Sequence, residues 1–82
     1  MKHNEPTWLM PVTIQIAYGE VEVIAGPPEA LECLLSRWPA DSGMYFEMAK
    51  RKCERFAKRT VTSQEARDAF IAAAIEAFVL VP

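Results

Sequence analysis

Two thiols, one imidazole, scattered carboxylates and one dense run of cations are the side chains of this 82-residue chain that could do chemistry. Cys33 and Cys53 have no second member at CxxC spacing, so no local redox pair or zinc knuckle is written. A reactive thiol needs exposure and a neighbouring cation or helix N-terminus. Lys52 adjoins Cys53, but residues i and i+1 point apart on a helix. Core packing is the reading for both thiols; a thiol-dependent enzyme or redox sensor using Cys53 is the outlying one. His3 is the single histidine and lies near the start, which leaves no imidazole in the body for a triad or a His-rich metal site. Glu20 and Glu22 fall on the outward face of a hairpin, Glu29 and Glu32 open a helix, and Glu65 suits a helix cap. None makes the paired carboxylates in a cleft that acid–base catalysis needs. Gly19, Gly26 and Gly43 fit turns and caps, not a phosphate loop. No catalytic residue, metal ligand or cofactor site is legible.

The cations are the sharpest signal. Lys50, Arg51, Lys52, Arg55, Lys58 and Arg59 place six of the nine basic residues in ten positions of a chain whose net charge is −2. Such a helix face can contact phosphates or an acidic partner, with Lys50, Arg51, Arg55, Lys58 and Arg59 as the contact residues. Two i,i+4 pairs, Glu47–Arg51 and Glu54–Lys58, would neutralise part of it. No aromatic interleaves the basic face, so a base-stacking platform is absent. Nucleic-acid binding is therefore ranked below a solvated or partner-facing helix.

These side chains must be positioned by an α+β domain of order β-β-α-α-α-β. Residues 1–10 read as a loose arm and 11–82 as one domain. Val12, Ile14, Ile16 and Tyr18 alternate with polar or small residues, and Val21 and Val23 alternate with Glu20 and Glu22. A two-residue loop at Gly19-Glu20 of type II′ would pair Tyr18 with Val21 and Ile16 with Val23, all on one face, and leave Ile24 on the other. Gly26-Pro27-Pro28-Glu29 starts a first helix that Pro39 stops at Trp38, with Ala30, Leu31, Leu34, Leu35 and Trp38 as its apolar stripe. A second helix over about 43–58 turns Tyr45, Met48, Ala49, Cys53 and Phe56 inward. Trp38 and Tyr45 would seal the junction between these two helices. Thr62-Ser63-Gln64-Glu65 is a capping box that opens a third helix over about 63–77. That helix is apolar almost all round, so it is either central or partly covered by another subunit. Ile71, Ile75 and Phe78 are the candidate self-association surface. Phe78 to Val81 could add a third strand to the hairpin.

Several features together resemble one small family. They are Pro11-Val12, Glu29-Ala30-Leu31-Glu32 with Leu34, Leu35 and Trp38-Pro39, then Gly43, Tyr45, Ala49 and Cys53. Ala66-Arg67, Ala69-Phe70, Ala73 and Glu76-Ala77 complete the pattern. It is similar to the family labelled domain of unknown function 982, small proteins of alphaproteobacteria. The resemblance covers about residues 8–81 and implies no catalytic residues. The family usually has Gly after the second helix, where this chain has Arg59; a Gly there makes a left-handed helix stop cheap.

Composition bounds the rest. Hydrophobic residues are 51% and charged residues 24%, a globular balance. A chain this short buries only roughly 60–65% of its unfolded surface, so a second copy would help cover a thin core. The start has no apolar export segment and the longest apolar run is far below the ~20 residues that a spanning helix needs, so a cytoplasmic protein outside the membrane is expected. The function expected from the residues is that of a non-catalytic interaction or regulatory protein that forms a homodimer and meets an unknown protein partner.

Overall fold

The computed structural model describes residues 7–82. The chain forms β1 (Val12–Gln15), β2 (Val21–Ile24), α1 (Pro27–Ser36), α2 (Met44–Ala57) and α3 (Ser63–Glu76). β1 and β2 make a two-stranded antiparallel sheet. The expected third strand is not formed among the described residues. The tail makes one isolated antiparallel bridge, Ile14 with Leu80, on the other edge of β1. The Gln15 N–H donates to the Val79 carbonyl and the Val81 N–H to the Thr13 carbonyl.

The hairpin exists, but not in the expected register. Val23 pairs with Thr13 and Val21 with Gln15, a slip of three residues from the Ile16–Val23 pairing. An odd slip turns β2 over. Ile24, expected outside, is buried beside Val12 and Ile14, whereas Val21, Val23 and Tyr18 are exposed. The loop explains the slip. The Gly19 N–H closes onto the Ile16 carbonyl at 2.9 Å, and Ala17, not Gly19, takes the left-handed backbone at φ 54°. A Cβ at residue 19 would meet the Ile16 oxygen at 3.0 Å, so glycine is there for room.

Gly26 precedes α1 with Pro27 at its start. The buried line of α1 is Ala30, Cys33 and Leu34, while Leu35, expected in the stripe, is exposed. The buried face of α2 is Phe46, Ala49 and Cys53. It is rotated from the expected one, so Tyr45 and Met48 reach solvent. The capping box of α3 forms in full: Thr62 Oγ1 accepts the Glu65 N–H at 3.0 Å, and Glu65 Oε1 accepts the Thr62 N–H at 2.9 Å. α3 is the central helix. It packs on α1, α2 and β1 and buries Ala66, Ala69, Phe70, Ala73 and Ala74.

The arm expected over residues 1–10 lies outside the described residues up to residue 6. Trp8 is buried, with its ring 6.1 Å from that of Phe70. Its indole N–H donates to the Ser63 carbonyl at 3.1 Å and its backbone N–H to the Ala25 carbonyl at 2.6 Å. Trp38 lies 5.5 Å from Phe70 and stacks at 6.5 Å on Phe46. The helix junction is thus closed by Trp38 with Phe46; Tyr45 takes no part in it.

Both long helices end in the same way. After α2, the Arg59 N–H bonds the Phe56 carbonyl and the Thr60 N–H the Arg55 carbonyl, with Arg59 at φ 62°. After α3, Phe78 bonds Ile75 and Val79 bonds Ala74, with Phe78 at φ 60°. These are Schellman stops, which glycine makes at least cost. Replacing Arg59 by Gly should therefore raise stability by about 0.5–1 kcal/mol, seen as a higher urea midpoint with unchanged slope. Acid should act through the α3 cap. The Thr62 N–H, with Lys52 3.7 Å away, holds the Glu65 carboxyl below its ordinary value of 4.5. A depressed native value means stability present above the unfolded value and lost as pH falls through the native one. Glu65→Gln should flatten that part of the acid limb in pH-dependent melting.

Candidate functional site

The thiols are placed for packing. Cys33 and Cys53 are both buried and unlinked. Burial pushes the Cys33 thiol up against the opposing charge of Arg37. Burial, helped by Glu54, pushes the Cys53 thiol up to about 12. Both remain protonated at neutral pH, the opposite of a nucleophilic cysteine. His3 lies outside the described residues. Among those described, no group of three or more His, Cys, Asp or Glu could hold a metal ion, and no helix is long and apolar enough to cross a membrane. The carboxylates are dispersed: Glu22 pairs with Arg37 at 2.9 Å, Glu47 with Lys50 at 3.5 Å, and Glu65 serves the cap.

One end of the molecule is built around Glu76. α2 and α3 run antiparallel, so the last residue of α3 meets the first turn of α2. Gly43 precedes α2 and has no side chain to cap it. Glu76 supplies the cap from the other helix: Oε1 accepts the Phe46 N–H at 3.1 Å and Oε2 the Tyr45 N–H at 3.2 Å. A carboxylate facing the positive end of a helix dipole contributes about 1 kcal/mol. Gly43 sits at φ 137°, and a Cβ on it would lie 2.6 Å from Glu76 Oε1, so the cap requires glycine there on both counts. The exposed apolar side chains Met44, Tyr45, Met48, Ile75 and Phe78 belong to this α2 start and α3 end. Of the three surface residues expected from the sequence, Ile75 and Phe78 stand in solvent and Ile71 is half-buried against the core. Tyr45, Met44 and Met48 were missed as surface residues; their helical spacing alone could not say which side of α2 faces the core.

The basic helix is less neutralised than its sequence suggests. Neither Glu47–Arg51 nor Glu54–Lys58 forms among the described residues. Glu47 turns instead to Lys50, whose Nζ also lies 4.7 Å over the Phe46 ring. Lys52 reaches Glu65 of α3 at 3.7 Å. Arg51, Arg55, Lys58 and Arg59 are exposed and make no ion pair with a described residue. Of the five anion-contact candidates, these four are free and Lys50 is engaged.

A thiol reagent should report the burial directly. The native protein at pH 8 should release no colour with an aromatic disulfide reagent over minutes, and both thiols should react on unfolding in guanidinium. Prompt modification of Cys53 in the native state would contradict its position.

The family model described as "Protein of unknown function (DUF982)" matches residues 10–81. No curated protein matches the chain. Among solved structures, the NMR structure of Agrobacterium tumefaciens protein Atu1219 is similar, with a TM-score of 0.78 and 34% identity. The likeness covers 100% of this chain and 82% of that one. With nearly its whole length matched by the family model, the chain belongs to the DUF982 family, whose function is unknown.

Proposed function

We propose that this chain is a non-catalytic interaction protein that works as a homodimer, joined through the end where α3 finishes and α2 begins. Phe78 carries the reading. It is 94% exposed and holds the left-handed backbone at φ 60°. A bulky residue pays about 1–2 kcal/mol for that conformation, and its ring returns nothing to the isolated chain. Backbone strain at an exposed aromatic points to a contact outside the monomer. Ile75, 58% exposed, and Met44 and Met48 extend the apolar ground around it, and methionines adapt to an apposed surface.

A second copy suits this end better than a charged partner. The carboxylates of these helix ends are Glu76, whose two oxygens already accept backbone N–H groups, and Glu47, which pairs with Lys50. Covering the junction with another apolar surface would leave neither carboxylate without a partner. The buried thiols and the dispersed carboxylates support a binding role over a catalytic one.

Light scattering in line with size exclusion tests the proposal. The wild-type protein should give twice 9.2 kDa at low and high salt. Ile75→Lys and Phe78→Ser change side chains that stand in solvent in the monomer, so they should return the mass to 9.2 kDa with little change in monomer stability. A wild-type monomer, or variants that keep the doubled mass, would remove this surface from consideration.

A further inference from the structure

Four cations at the end of α2 stand in water with nothing described to neutralise them. Arg51, Arg55 and Lys58 follow one another at i, i+4 and i+7, which is a single ridge of a helix. Arg59 adds a fourth charge at the left-handed stop. At 1.5 Å per residue the row runs about 12 Å. Glu54 is the one carboxylate within the row's span. The other acids of α2 and the facing helix have partners of their own: Glu47 holds Lys50, Glu65 holds Lys52, Asp68 accepts from Gln64, and Glu76 caps α2. The fold thus draws two lysines away and leaves a cationic strip on a chain whose net charge is −2.

We infer that this ridge is a contact surface for the phosphodiester backbone of a nucleic-acid duplex. The inference stands apart from self-association, since it uses the opposite end of α2. A duplex carries one phosphate per about 1.7 Å of axis over its two strands, so a row of cations about 12 Å long lies in a dense field of phosphate charge, with at most one contact per cation. Among the described residues the chain offers no comparable acidic strip to a second copy. Glu22 and Glu32 flank Arg37. The other described acids, Glu20, Glu29, Asp41, Glu54, Asp68 and Glu76, make no ion pair and are spread over five segments, with Glu76 already capping α2. Nor does the ridge present bases with a stacking platform. Phe46 is buried, Phe56 is half-buried, and Tyr45 lies at the far end of α2. That chemistry reads backbone rather than unpaired bases, so duplexes should bind better than single strands and sequence should matter little. Arg59 is consistent with this use: glycine would make the same helix stop more cheaply, and the arginine adds the charge.

Fluorescence anisotropy with a labelled duplex and its separated strands tests the inference. Wild-type protein should bind the duplex at about 50 mM salt, with a slope of log K against log salt of about −3.6 for four phosphate contacts, or on the order of a hundredfold loss by about 200 mM. Arg51→Glu with Arg55→Glu should weaken binding at least tenfold and flatten the slope by about 2. Arg51→Lys with Arg55→Lys should keep most of both, and circular dichroism should show all variants folded. No duplex binding by wild type, equal binding by the charge-reversed variant, or a preference for single strands would overturn the inference. Because the dimer mass is read on the same samples, loss of either property is seen separately.

Discussion

Everything in this fold is arranged around the ring of Phe70. It is fully buried in the middle of α3, with Trp8 approaching from the N-terminal side at 6.1 Å and Trp38 from the end of α1 at 5.5 Å. Trp38 continues the chain of rings to Phe46 on α2. Four aromatics thereby tie together the segment before the hairpin and all three helices. Aromatic contacts of this kind contribute about 0.5–1.5 kcal/mol each beyond their area. The small residues of α3 serve the same end: Ala66, Ala69, Ala73 and Ala74 let neighbouring backbones come close enough for the rings to meet.

Polar devices then fix what the apolar core leaves free. The core sets which elements touch, but it does not set where α2 begins or how far α3 slides along it. Glu76 does, by capping α2 from the end of α3, and Gly43 leaves room for it. At the opposite end, Lys52 and Glu65 join the same two helices. Solvent screens that exposed pair, so the Glu76 cap governs the register of the two helices. Trp8 does the equivalent for the hairpin by bonding both the Ala25 and Ser63 carbonyls.

The two ends of α2 consequently differ in character. Where α3 finishes, the exposed apolar side chains of Ile75 and Phe78 stand together with the left-handed backbone of Phe78. Where α2 finishes, charge is left over. The apolar end and the cationic end thus lie apart along one helix and share no residue.

Local chemistry was legible in the sequence, and so were the element boundaries it controls. The capping box starts α3 at Ser63, Pro27 starts α1, and the α+β order with a hairpin first follows from period-two and period-3.6 patterns. Burial of both thiols followed from their places in the helices. Relations between elements were not legible. The register of the hairpin depended on whether Ala17 or Gly19 takes the left-handed turn, which propensity assigns to glycine and the packing of Ile24 assigned to alanine. The inward side of α2 depended on Trp38 receiving Phe46, and spacing alone allowed Tyr45 equally well. The freedom of Arg51 depended on Glu47 choosing Lys50 instead. Local signals act over a few bonds and are written in neighbouring residues. Faces, registers and leftover charges are set by which distant side chain arrives, and only the tertiary structure decides that.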